Sequence, residues 1–213
     1  MNMELASALV KTLPRGSDRL FNPWTDRCVH DSQLNGPEER LTRLAQHLSC
    51  TASLILVGEA PGYQGARYSG VAFSSEKLLI DGAIPRVDAA PGRLTDRWLP
   101  YSEPSATIVW KNLYKLGLAE NTVLWNALQL HPFRAGEPKS NRTPTPAELE
   151  LGHAAIRILQ EAFPLARWVA IGKKAEGLLA AAGVNAAGAV RHPANGGATL
   201  FAEGLAELTA WEE

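Results

Sequence analysis

The stretch SLILVGEAPGYQGARYSGVAF, residues 53–73, decides the fold. Its opening run SLILVG is short, continuous and apolar and stops at Gly58, which describes a strand buried on both faces. The polar, glycine-rich GEAPGYQGARYSG then reads as a loop at the strand's carboxyl end.

The same grammar repeats outward from this unit. From Pro104, PSATIVWKNLYKL has helical spacing and ends at Gly117, a suitable C-cap, and TVLWNA (122–127) reads as a second buried strand. A proline-rich loop covers Leu130 to Thr145. Thr145 with Glu148 forms a capping box, Pro146 takes the first helical position, and the helix is expected to run to about Phe163. The strand WVAIG (168–172) follows, then a short helix KKAEGLLAAAG stopping at Gly183, a brief strand near 187–190 and a closing helix LFAEGLAELTAW. Upstream, residues 1–50 read as a helical and irregular segment packed on the same domain. LASALVKTL is weakly amphipathic, FNPW is an Asn-Pro turn, and Pro37 opens the helix EERLTRLAQHL. Residues 51–213 form the main domain. Strands alternating with helices imply an α/β fold, a three-layer α/β/α sandwich with a short, mostly parallel central sheet and its ligand site at the strands' carboxyl ends.

Composition narrows the function. With 213 residues, 46% of them hydrophobic, the chain can bury an ordinary core as one domain, and a monomer is expected. No apolar run is long enough to span a bilayer, and MNMELASALVKTLPRG lacks the pattern of a secretion signal, so no membrane partner and a cytoplasmic location are expected. Cys28 and Cys50 are too few for a disulfide framework and lack metal-site spacing, so neither redox chemistry nor a structural metal is expected. A net charge of −1 argues against coating nucleic acid by bulk electrostatics, so any DNA role rests on a local basic patch.

Chemistry-bearing residues cluster where three strands end. Glu59 follows the first strand, Asn126 ends the second, and Arg191-His192-Pro193 follows the last. The glycine loop matches neither the dinucleotide fingerprint nor the P-loop, but its glycines let backbone approach a ligand closely. Each residue also has a structural reading. Glu59 can be a carboxylate held by backbone amides, His192 a packed loop histidine, Asn126 a turn cap and Phe73 a core aromatic.

The motifs together resemble the uracil-DNA glycosylase superfamily, in its bacterial GEAPG branch. GEAPGYQGARYSGVAF (58–73) is similar to that branch's first motif, WNALQLHPF and SNRTPTPAEL to its asparagine-containing strand end and NRxPTP segment, and RHPANGG to its HPS-type loop. The resemblance implies a monofunctional DNA glycosylase that hydrolyses the N-glycosidic bond of uracil or another deaminated or damaged base, leaving an abasic site for base excision repair. That chemistry needs no metal or organic cofactor. It makes Glu59 and His192 the catalytic pair: an ionised carboxylate that orients water and stabilises positive charge, and a neutral donor to the departing base oxygen. Base binding falls to Gly58, Ala60, Gly62, Phe73 and Asn126, with Phe73 stacking on the extruded base and the Asn126 amide pairing with a pyrimidine edge.

Contacts to DNA fall to Arg67, Arg142, Arg191, Asn195 and Gly196, with Lys139, Lys173 and Lys174 close by and Leu200 as the one candidate wedge. Gly62 stands where the strictly uracil-specific branch resembles a blocking tyrosine, so a wider pocket is expected unless Tyr63 or Tyr68 swings in. The closest branch carries four cysteines around an iron–sulfur cluster, whereas Leu130 and Gly152 fall at two of those places here, implying a cluster-free relative. The rival readings are a non-catalytic DNA-lesion or nucleotide-binding protein on the same fold, and an enzyme acting on free nucleosides.

Overall fold

A computed structural model describes residues 1–210, so Trp211, the last residue of the expected closing helix, lies outside the described residues. The sheet is built from β2 (Leu54–Gly58), β3 (Thr122–Asn126), β5 (Arg167–Ile171) and β6 (Gly188–Val190), in the order β3-β2-β5-β6. All its pairings are parallel. A separate antiparallel ribbon pairs β1 (Leu20–Phe21) with β4 (His131–Pro132), which the sequence did not signal.

Alternation along the strands assigns the two cores. Ile55, Val57, Val123, Trp125, Trp168 and Ala170 pack on one face with α1 (Met3–Lys11), α2 (Pro37–His47), α7 (His153–Ala162) and α8 (Lys173–Ala181). Leu54, Leu56, Leu124, Val169, Ile171 and Val190 pack on the other with α4 (Glu76–Ile80), α5 (Pro104–Lys115) and α9 (Ala198–Thr209). The result is the three-layer α/β/α sandwich, with strands apolar on both sides because both sides are covered. Residues 1–50 supply Ala6, Leu9, Leu13, Leu44 and Leu48 to the first core, so this segment completes a layer.

Two departures have clear physical causes. The helix expected from Thr145 to about Phe163 is two helices, α6 (Pro146–Glu150) and α7, broken at Leu151-Gly152. The break lets Gly152 pass directly under the Ala127 carbonyl, where a Cβ would come to 1.7 Å from that oxygen. A short helix α3 (Ala66–Ser69) also forms inside the expected glycine loop, closed by left-handed Gly70.

β3 is an edge strand, and its free backbone is covered from within the chain. The His47 Nε2 accepts the Leu124 N–H at 2.9 Å, and Arg86 donates to the Thr122 carbonyl at 3.0 Å. These contacts occupy polar groups that would otherwise template pairing with another strand. Burial, helped by the nearby Arg86 charge, lowers His47 to about 3, so the folded chain keeps it neutral. The unfolded chain protonates it near 6.5, so its contribution to stability is full above that pH and is lost as pH falls towards 3. The unfolding free energy measured in urea should therefore fall between pH 7 and pH 5 by an amount to which His47 adds on the order of 2 kcal/mol. In His47→Gln, whose amide oxygen can still accept the Leu124 N–H, the fall should be smaller. An equal fall in both proteins would remove His47 as the titrating group.

Candidate active site

The carboxyl ends of the parallel strands open into a cleft of about 1060 Å³ lined, among others, by Glu59, Phe73, Asn126 and His192. In-register pairing sets Gly58 opposite Asn126, and beyond the strands the Ala127 and Leu128 N–H groups donate to the Gly58 and Glu59 carbonyls at 2.8 and 3.0 Å. The backbone on either side of Glu59 is thereby fixed to β3. Gly58 is required by its surroundings, since a Cβ there would lie 2.7 Å from the Phe73 ring and 2.9 Å from Asn126 Oδ1.

Phe73 is buried and has φ 47, a left-handed backbone that costs about 1–3 kcal/mol for such a residue. Trp110 holds it there, its Nε1 donating to the Phe73 carbonyl at 2.8 Å. Phe73 belongs to the second core and also lines the cleft, so the core reading holds and its ring forms part of the cleft floor as well. The Asn126 side chain is buried at the strand end, and its amide makes no hydrogen bond among the described residues. That leaves an acceptor and a donor for a ligand, and the turn-cap reading has no support.

His192 faces Phe73, with ring centroids 6.4 Å apart. Its Nδ1 accepts the Ala194 N–H at 3.2 Å, which leaves the proton of a neutral ring on Nε2. Burial first, and then the adjacent Arg191, lowers His192 below the ordinary histidine value, favouring that neutral form. The Glu59 carboxylate pairs with Lys174 Nζ at 3.3 Å, and Lys174 also reaches Thr143 Oγ1 at 3.2 Å. These exposed contacts orient the carboxylate at the cleft edge; backbone amides do not hold it.

Two of the cations expected to meet DNA are engaged elsewhere. Arg67 is buried, lies 3.8 Å over the Phe21 ring and donates to His131 Nδ1 at 2.8 Å, so it is no part of a phosphate footprint. His131, lowered to about 3 by burial and by Arg67, is neutral, and its Nε2 donates to Asn141 Oδ1 at 3.1 Å. Asn141 in turn accepts the Tyr63 N–H at 3.0 Å. Arg67 thus acts as an internal brace tying the glycine loop to the proline loop. Arg142 lines the cleft, but it is clamped on both oxygens of Glu148 and donates to the Phe133 carbonyl. Lys139 is exposed but lies away from the cleft, beside His30 and Glu137.

Among the described residues, the cleft cations without a hydrogen-bond or ion-pair partner are Arg191 and Lys173, while Lys174 is paired with Glu59. Beside them Asn195 and Gly196 are exposed with left-handed backbones, φ 53 and 77. Leu200 is exposed on the first turn of α9. Ala60 and Gly62 line the cleft, and a Cβ at Gly62 would meet nothing closer than Asn141 at 3.9 Å. Tyr68 does not close that gap: it is buried and stacked on Tyr101 at 5.4 Å. Tyr63 packs edge-on against the same Tyr101 ring. Glu103, which sequence reasoning passed over, also lines the cleft. A glutamate just before Pro104 reads as a helix cap, and only the folded backbone turns it inward.

A family model described as the uracil DNA glycosylase superfamily matches residues 45–203. The chain belongs to this superfamily. No curated protein sequence matches it. Among solved structures, wild-type Pedobacter heparinus SMUG2 superposes with a TM-score of 0.63 at 16% identity, covering 95% of each chain, which establishes a shared fold. The iron–sulfur cluster that the sequence resemblance brings into question does not fit these residues. Leu130 is buried in the core, Gly152 is packed on the Ala127 carbonyl, and neither supplies a thiol.

The two glycines of the first motif make a direct test of this geometry. Gly58→Ala should lower unfolding free energy by about 1–3 kcal/mol through overpacking against Phe73 and Asn126. Gly62→Ala, facing open space, should change it by less than about 0.5 kcal/mol. Equal effects in chemical denaturation would contradict the close approach at Gly58.

Proposed function

We propose that this chain is a monofunctional DNA glycosylase that removes uracil or another deaminated or damaged base from DNA and leaves an abasic sugar. The observation that carries the reading is the convergence of Glu59, Phe73, Asn126 and a neutral His192 on one cleft. Membership of the superfamily supports the same chemistry.

Arg191, Lys173 and the Asn195-Gly196 backbone grip phosphates, and the target nucleotide is turned out of the stack into the cleft. The base stacks on Phe73 while the Asn126 amide pairs with its polar edge. As the bond from C1′ to the base nitrogen breaks, its electron pair moves onto the base, and His192 Nε2–H donates to the oxygen where that charge gathers. Such a donor is worth a few kcal/mol in the transition state. The Glu59 carboxylate stabilises the cationic sugar and takes a proton from water as the water oxygen bonds to C1′. The departing base is then protonated by solvent. The open side at Gly62 leaves room for bases larger than uracil.

Glu59→Gln and His192→Ala should each slow single-turnover base release at least tenfold, about 1.4 kcal/mol, with little change in melting temperature. Near-normal rates in both variants would remove them from the chemistry.

The phosphate grip has its own signature. Arg191→Ala should make the salt dependence of DNA binding shallower by about one unit of slope, because one phosphate contact is lost. Arg67→Ala should leave the slope unchanged and lower stability, because its guanidinium is buried against Phe21 and His131. A reversed result in salt titrations would move the DNA path to the Arg67 side.

A further inference from the structure

We propose that Glu103 is a specificity-determining residue of the cleft, whose carboxyl group hydrogen-bonds a ring carbonyl of the extruded base, leaving the ring N–H of that edge to the Asn126 amide. This rests on the glycosylase reading of the site.

Glu103 occupies the N-cap position of α5, where a carboxylate ordinarily accepts N–H groups of the first helical turn, yet its side chain makes no capping bond. It turns into the cleft instead and lies against Gly65, where a Cβ would meet Glu103 Oε2 at 1.9 Å. The glycine leaves room for the carboxyl group. Among the described residues the carboxyl oxygens have no hydrogen-bond or ion-pair partner.

The other charged groups of the cleft are committed or lie on different elements. Glu59 pairs with Lys174 and Arg142 with Glu148, while Lys173 and Glu176 sit on α8 and Arg191 and His192 follow β6. Glu103 is half-buried in the cleft wall, and a carboxyl group partly withdrawn from water with no protein partner is open to a ligand.

Desolvation raises Glu103 to about 7. In its protonated form the group offers an O–H donor to a ring carbonyl of uracil, hypoxanthine or xanthine, while Asn126 Oδ1 remains the acceptor for the adjacent ring N–H. Above that pH the donor is lost, and the base carbonyl faces a carboxylate. Recognition is therefore expected to be full below about pH 7 and to weaken as pH rises through it.

The test uses the full chain and labelled oligonucleotides carrying a non-hydrolysable 2′-fluoro deoxyuridine or deoxyinosine, each compared with a tetrahydrofuran abasic analogue. Fluorescence anisotropy gives the affinity ratio of base to abasic analogue from pH 5.5 to 8.5, and single-turnover release from the hydrolysable oligonucleotides is measured in parallel. In the wild type the ratio should exceed one and fall above pH 7. Glu103→Ala should reduce the ratio at pH 6 at least tenfold. Glu103→Gln, a fixed neutral donor and acceptor, should hold it within about threefold and abolish its pH dependence. Both variants remove a desolvated carboxyl group and should melt no lower than the wild type.

If the wild type releases no base but the ratio responds in this way, the glycosylase reading fails and the role of Glu103 stands. If the wild type releases bases while Glu103→Ala keeps both ratio and rate, Glu103 is not a base contact. A wild-type ratio of one at every pH would overturn the role of Glu103, whereas the glycosylase reading stands or falls on base release.

Discussion

A Cβ at position 58 would collide with both the Phe73 ring and the Asn126 amide, so the packing of the cleft floor depends on a side chain that is absent. The in-register parallel pair of β2 and β3 sets Gly58 beside Asn126, and the same pairing continues past the strand ends to fix the backbone of Glu59. Phe73 then reaches over the glycine from a strained left-handed conformation anchored by Trp110. Three site residues are positioned by one close approach, and His192 joins them from β6 at the far side of the sheet.

Rigidity around the cleft comes from buried polar bonding. Arg67, His131 and Asn141 form a chain of hydrogen bonds that ends on the Tyr63 N–H, so the glycine loop is tied to the proline loop across the cleft mouth. The Arg142 clamp on Glu148 links the same proline loop to the capping box of α6. Two arginines that read in sequence as phosphate ligands thus serve as internal braces, while Arg191 and Lys173 line the cleft with no hydrogen-bond or ion-pair partner among the described residues.

What was legible in the sequence follows from how local each signal is. The buried strands and the capping box at Thr145 are written in consecutive residues, and the structure has them within a residue or two. Strand ends also marked Glu59, Asn126 and His192, because a parallel sheet must bring those ends together. The break at Gly152 was not legible, since its cause is the Ala127 carbonyl from another element. Nor were the burial of Arg67 and the inward turn of Glu103 legible, because each depends on a partner surface distant in sequence, Phe21 and His131 for one and Gly65 for the other.

The most direct measurement incubates the wild-type protein with oligonucleotides carrying uracil, hypoxanthine, xanthine or an oxidised pyrimidine, followed by alkali to cut at abasic sites. Strand breaks at one or more of the modified positions, and none in an unmodified control, are the expected result. Intact strands for every modified base would contradict a catalytic role for the cleft.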